Sequence, residues 1–143
     1  ILMVEVSLDI DISGVMSKLS PDNARMVSSK VLNLAAQDTV NNLMHNSPVD
    51  HGLLKSWFID SIDDTEAHIK TPAEYAADVN YGTRPHFIYP TNKQALYWPG
   101  ADHPVKWVMH PGTSPTLFVE NSIEETQQRM DEFFLTALQE VLG

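Results

Sequence analysis

Between Leu2 and Ile12 every even position is apolar (Leu2, Val4, Val6, Leu8, Ile10, Ile12), while Glu5, Ser7, Asp9 and Asp11 take odd ones. A two-residue period puts the six apolar side chains on one face, which predicts a half-buried strand with an acidic outer face. After Gly14, residues Val15 to Leu19 can make one helical turn. Ser20-Pro21-Asp22-Asn23 then reads as a helix start, with Ser20 as N-cap, Pro21 at the first position and Asp22 near the positive end. Val27, Val31, Leu34 and Ala35 follow at helical spacing, and Val40, Leu43 and Met44 continue the stripe with some drift. The helix is expected to run to about His45, where Asn46-Ser47-Pro48 ends it.

Val49-Asp50-His51-Gly52 predicts a turn into a strand from Leu53 to Asp60, with Leu53, Trp57 and Ile59 on one face. An acidic turn, Ser61 to Thr65, joins it to a second strand from Glu66 to Lys70, where Ala67 and Ile69 point inward. This is a hairpin packed on the first helix. Pro72 to Ala77 reads as a short helical turn that sets Tyr75 and Ala76 against the sheet. From Gly82 to about Val105 regular signals are few, and a long loop is expected, shortened if Tyr97 and Trp98 pair with Lys106 to Met109. Ser114, as cap, and Pro115 open the last helix. There Val119, Ile123, Thr126, Met130, Phe133, Ala137 and Val141 form one stripe over about 26 residues, some 39 Å.

The elements add up to an α+β fold, a mostly antiparallel sheet packed by two main helices (about 21–45 and 116–141), with a long loop around 82–105. The 143 residues suit a single domain, 1–143, that buries roughly two-thirds of its unfolded surface. Without cysteine the chain has no disulfides, thiolate metal ligands or cysteine nucleophile. No apolar run reaches the length of a membrane span and no signal-peptide pattern opens the sequence, so a protein made in the cytoplasm is expected. The formal net charge is −10, with the cations scattered singly. Gripping duplex DNA takes clustered cations, so sequence-specific DNA binding is not expected, whereas an acidic wall along which DNA slides fits this charge.

Gly82, between Tyr81 and Thr83, is placed for a turn with positive φ, and Pro85 stiffens the chain and pushes Arg84 toward extended geometry. Arg84 is a lone guanidinium in an acidic protein. An anchor to a carboxylate of a neighbouring subunit and an intramolecular salt bridge are both open to it. Phe87, Tyr89, Tyr97 and Trp98 make the following loop aromatic, suited to ordering against a partner.

Chemistry-bearing alternatives are few. His86, Asp102, His103 and His110 are possible metal ligands for a small metal-dependent hydrolase, but lack the i,i+4 or short-loop spacing that prearranges a site. The plainer reading has His86 and His110 bonding nearby backbone to shape their loops. Ser47, Ser56 and Ser114 lie outside any nucleophile elbow, Asp63-Asp64 reads as a solvated turn, and Asp50 to Gly52 as a helix-to-strand turn. No phosphate-cradling glycine pattern occurs. The reading is non-enzymatic, with no cofactor.

Three segments, SPVDHGLLKSW (47–57), YAADVNYGTRPH (75–86) and HPGTSPTLFV (110–119), resemble in order and spacing the signature stretches of the tail-component, or tail-completion, family of long-tailed bacteriophages. The match runs from about Ser20 to the C-terminus. Asp50, Gly52, Tyr75, Tyr81, Gly82, Thr83, Arg84, Pro85, His86, His110, Pro111 and Gly112 carry it, while Asn80 and His51 depart from the family's usual acidic residue and threonine. The resemblance implies a structural virion protein of the neck or upper tail. It further implies a ring of copies, hexameric or otherwise, between the head connector or adaptor and the tail tube or tail terminator, with DNA passing through. Arg84, His86, Phe87, Tyr89, Tyr97 and Trp98 are then the candidate interface residues.

Overall fold

A computed structural model describes residues 4–9, 14, 17–48 and 55–143. Its elements are β1 (Glu5–Asp9), α1 (Pro21–Asn46), β2 (Phe58–Ile62), β3 (Glu66–Lys70), α2 (Ala76–Tyr81), β4 (His86–Ile88), β5 (Val108–His110), α3 (Phe118–Gln128) and α4 (Met130–Leu142). The fold is α+β. It divides into two compact units, one formed by residues 1–77 with 117–143 and the other by 78–116. The expected turn at Asp50 to Gly52, and Leu53 with it, lie outside the described residues.

In the first unit β3 is the centre of a three-stranded antiparallel sheet, ordered β1-β3-β2. Val6 pairs with Ile69 and Leu8 with Ala67, so the inward face of β1 meets that of β3, as the alternation predicts. The strand expected over 53–60 lies further along, at 58–62, and a bulge between Ile59 and Ser61 shifts its register. The extra residue is Asp60, whose carboxylate meets Lys70 Nζ at 3.1 Å. Trp57 is buried ahead of the strand, edge-on to Phe118 at 6.2 Å.

The helix α1 begins as expected: the Ser20 hydroxyl accepts from Asn23 N–H at 3.2 Å, and Pro21 stands at the first position. Val27, Val31 and Ala35 form a core with Phe133 and Ala137 of α4, flanked by Leu34, Met130, Phe134 and Leu138. Burying a side chain such as Val31 or Phe133 stabilises the fold by about 1.5–3 kcal/mol. The second half of α1 departs from the expected stripe. Met44 is exposed, whereas Asp38 and Thr39 are buried, because this half meets α3 through hydrogen bonds. Thr39 Oγ1 lies 3.0 Å from Thr126 Oγ1, the Thr126 hydroxyl donates to Asp38 Oδ2 at 3.1 Å, and Asn42 donates to Asp38 at 3.0 Å.

The single helix expected from 116 to 141 is two. Arg129, at φ −101° and ψ 3°, leaves helical geometry between α3 and α4, and its guanidinium pairs with Asp38 and with Glu132 and lies over the Phe133 ring. Ser114 does not cap α3. Leu117 does, in the left-handed region at φ 53° and without a side-chain hydrogen bond. The helical turn expected at 72–77 is displaced to 76–81, since Thr71 Oγ1 accepts from Ala73 N–H at 3.2 Å and holds that stretch as a turn.

Candidate interaction surface in residues 78 to 116

The second unit is built on two glycines. Gly82 has φ +76° and Gly112 φ +86°. A β-carbon on Gly82 would collide with the Thr113 carbonyl and lie 2.9 Å from Pro115 N, while one on Gly112 would collide with the Thr83 carbonyl and lie 2.9 Å from the Arg84 carbonyl carbon. The two loops therefore cross at a separation that only glycine permits. Thr83 N–H donates to Thr113 O at 3.0 Å and Thr113 N–H to Thr83 O at 3.1 Å, which closes the crossing with a reciprocal pair. The sequence expectation of a positive-φ turn at Gly82 holds, and Gly112 is its counterpart.

Beyond the crossing β4 and β5 pair antiparallel, His86 opposite His110, Phe87 opposite Met109 and Ile88 opposite Val108. Part of the expected long loop is thus strand. Tyr97 and Trp98 do not pair with Lys106 to Met109. Only Leu96 and Val105 bridge there, with Leu96 N–H donating to Val105 O at 2.6 Å and Val105 N–H to Leu96 O at 2.9 Å. The histidines shape backbone, as expected. His86 Nδ1 donates to Arg84 O at 2.7 Å, and His110 Nδ1 accepts from Gly112 N–H at 3.0 Å, which requires that nitrogen unprotonated. Their rings stack at 5.0 Å.

Among the described residues no three His, Asp or Glu side chains are grouped to hold a metal ion, so His86, Asp102, His103 and His110 do not form such a set. Asp63 behaves as a turn residue: its carboxylate accepts from Thr65 N–H at 2.7 Å and Glu66 N–H at 2.9 Å, and these backbone bonds hold its pKa below the ordinary value.

What this unit presents is apolar surface. Within 78–116 Asn80 is the only buried residue. All six aromatics of the segment (Tyr81, Phe87, Tyr89, Tyr97, Trp98, Trp107) are 43–66% exposed, and Met109 is exposed with them. Strand alternation places Phe87 and Met109 on one face of β4–β5, extended by Tyr89 and Trp107. The Phe87 ring meets Trp107 edge-on at 5.3 Å and Tyr89 at 6.3 Å. The other side opens into a cleft of about 400 Å³ between Ile88 and Val108 and the residues Leu96, Tyr97 and Trp98. A contiguous exposed patch of this kind is an interaction site or a liability, and a two-stranded ribbon without a core is marginal by itself.

Of the candidate interface residues, Arg84, His86, Phe87, Tyr89, Tyr97 and Trp98 are all exposed in this unit. Arg84 makes no ion pair among the described residues, which leaves it available to a partner. Tyr81, Thr83, Pro85, Pro111 and Gly112 belong to the same crossing, while Tyr75 is half-buried in the other unit and Asp50 and Gly52 lie outside the described residues. Trp107 and Met109 were missed as surface residues. Their signal is the mirrored alternation of His86-Phe87-Ile88-Tyr89 and Trp107-Val108-Met109-His110.

The fold and this surface define a small α+β protein with an exposed aromatic face. Comparison with protein-family models, with curated proteins and with solved structures finds no match.

Proposed function

We propose that the chain is a non-enzymatic structural protein of the virion of a long-tailed bacteriophage, made in the host cytoplasm and built into the neck or upper tail. Copies form a ring that joins the head connector or adaptor to the tail tube or tail terminator, and DNA passes through without sequence-specific binding. The observation that carries this reading is the crossing of Gly82 and Gly112. It brings together the two segments behind the resemblance, 75–86 and 110–119, and fixes beside them an aromatic surface with almost nothing buried. Side chains arranged so contribute little to folding and much to association. The acidic composition suits a lumen traversed by DNA.

Mass spectrometry of purified particles tests the reading. The wild-type chain is expected in a fixed copy number per particle, and an Arg84→Glu chain, folded but reversed in charge at the surface, is expected to be left out. Particles free of the wild-type chain would refute a virion role.

A further inference from the structure

The charge of the chain is divided unevenly. Residues 78–116 hold Arg84, Lys93 and Lys106 against Asp78 and Asp102, a formal charge of +1 with histidine neutral, so the remainder carries −11 of the chain's −10. None of these three cations has a carboxylate within ion-pairing distance among the described residues. Across α3 and α4, by contrast, Glu120, Glu124, Glu125, Asp131, Glu132 and Glu140 outnumber Arg129.

The helix α4 also has an outer face with unpartnered apolar groups. Leu135 is 61% and Leu142 51% exposed. They lie seven residues apart, hence on one side of the helix and about 10 Å apart, and Asp131 precedes Leu135 by one turn on that side. An acidic helix with two apolar anchors at this spacing complements, in shape and charge, an apolar cleft carried by a segment of net positive charge whose three cations have no carboxylate partner among the described residues.

We infer that the aromatic cleft of residues 78–116 receives the outer face of α4 from a second copy of this chain. Leu135 enters between Trp98 and Val108, and Asp131, one turn before it and without an ion pair among the described residues, faces Lys106. Because the two faces are different parts of the chain, the contact is head-to-tail and repeats from copy to copy. It rests on the ring proposed above and assigns the surfaces that would build it.

A mixing experiment by sedimentation velocity tests the contact. One variant, Leu135→Glu, keeps the cleft and loses the helix face. The other, Trp98→Ser, keeps the helix face and loses the cleft, with Lys106→Glu in its place if Trp98→Ser perturbs the circular dichroism spectrum. Wild type is expected to self-associate with rising concentration, less so at high salt. Each variant alone is expected to associate at least about tenfold more weakly. An equal mixture is expected to form dimers and nothing larger, because one intact cleft meets one intact helix and growth stops. A wild type monomeric up to about 1 mM at low salt, a variant that associates like wild type, or a mixture no larger than its parts would overturn the contact. The neck reading would then still stand or fall on the presence of the chain in particles.

Discussion

Gly82 and Gly112 occupy each other's loops: each sits at positive φ, and a β-carbon on either would strike the carbonyl of the threonine that follows the other. Alanine at either position thus adds backbone strain and a collision with backbone, which cannot rotate away. Gly82→Ala and Gly112→Ala are expected to cost at least about 2 kcal/mol in the packing of residues 78–116. Gly100, also at positive φ but with open space around it, is the control, with a cost near 1 kcal/mol from strain alone. Hydrogen exchange at Thr83 and Thr113, whose amides close the crossing, reads the difference directly.

Asp38 is the hub of the contact between α1 and α3. It accepts from Thr126 and Asn42 and pairs with Arg129 at the break before α4. Asp38→Ala removes the acceptor these three groups share and leaves Arg129 with Glu132, Asn42 with Ser122 O and Thr126, and the Thr126 hydroxyl with Ser122 O and Thr39. It is expected to destabilise the fold by about 2 kcal/mol in chemical denaturation. Arg129→Met, at a half-exposed side chain, is expected to cost less.

Leu117 stands at φ 53°, which a branched side chain adopts only under strain. Glycine relieves it. Leu117→Gly is expected to raise the thermal midpoint, by an amount equivalent to at most about 1 kcal/mol, since the unfolded chain also gains freedom. A lowered midpoint would mean that the exposed Leu117 side chain contributes packing that outweighs the strain.

His68 lies between two carboxylates, with Nε2 3.1 Å from Glu66 and Nδ1 against Glu5. Both nitrogens then donate, and the hydrogen bonds to Glu66 first and Glu5 second raise its pKa above the ordinary 6.5. A raised folded-state pKa contributes stability fully below about pH 6.5 and loses it as pH climbs through the folded value. The midpoint of unfolding is therefore expected to fall slightly from about pH 6 to 8. NMR titration of the His68 ring should show a value above 6.5 that drops in Glu66→Gln. A titration at or below 6.5 in the wild type would contradict the arrangement.

Much of the first unit was legible. The Ser20-Pro21 start of α1, the strand at 66–70 and the inward set Val6, Ala67 and Ile69 all follow from local pattern. Ser114-Pro115 offers nearly the same local signal as Ser20-Pro21, yet no helix starts there. Pro115 N lies against Gly82, and Thr116 donates to Val79 O through both its amide and its hydroxyl, so the chain is held extended until Leu117. The break at Arg129 was equally hidden. Thr126, Met130 and Phe133 keep a helical period across it, and the partner that draws Arg129 aside, Asp38, is distant in sequence. In residues 78–116 a shaped turn at Gly82, the backbone bonds of His86 and His110, and most of the exposed aromatics are legible in the sequence. The pairing of β4 with β5 is not legible, because the strands are three residues each and their partners are some twenty residues apart.

The most direct measurement is electron microscopy of a lysate from a phage-producing strain in which this chain is deleted in frame. DNA-filled heads without attached tails, or heads beside free tails of abnormal length, are the result expected of a ring at the joint or the tail end. Intact, infectious particles from the deletion strain would contradict it.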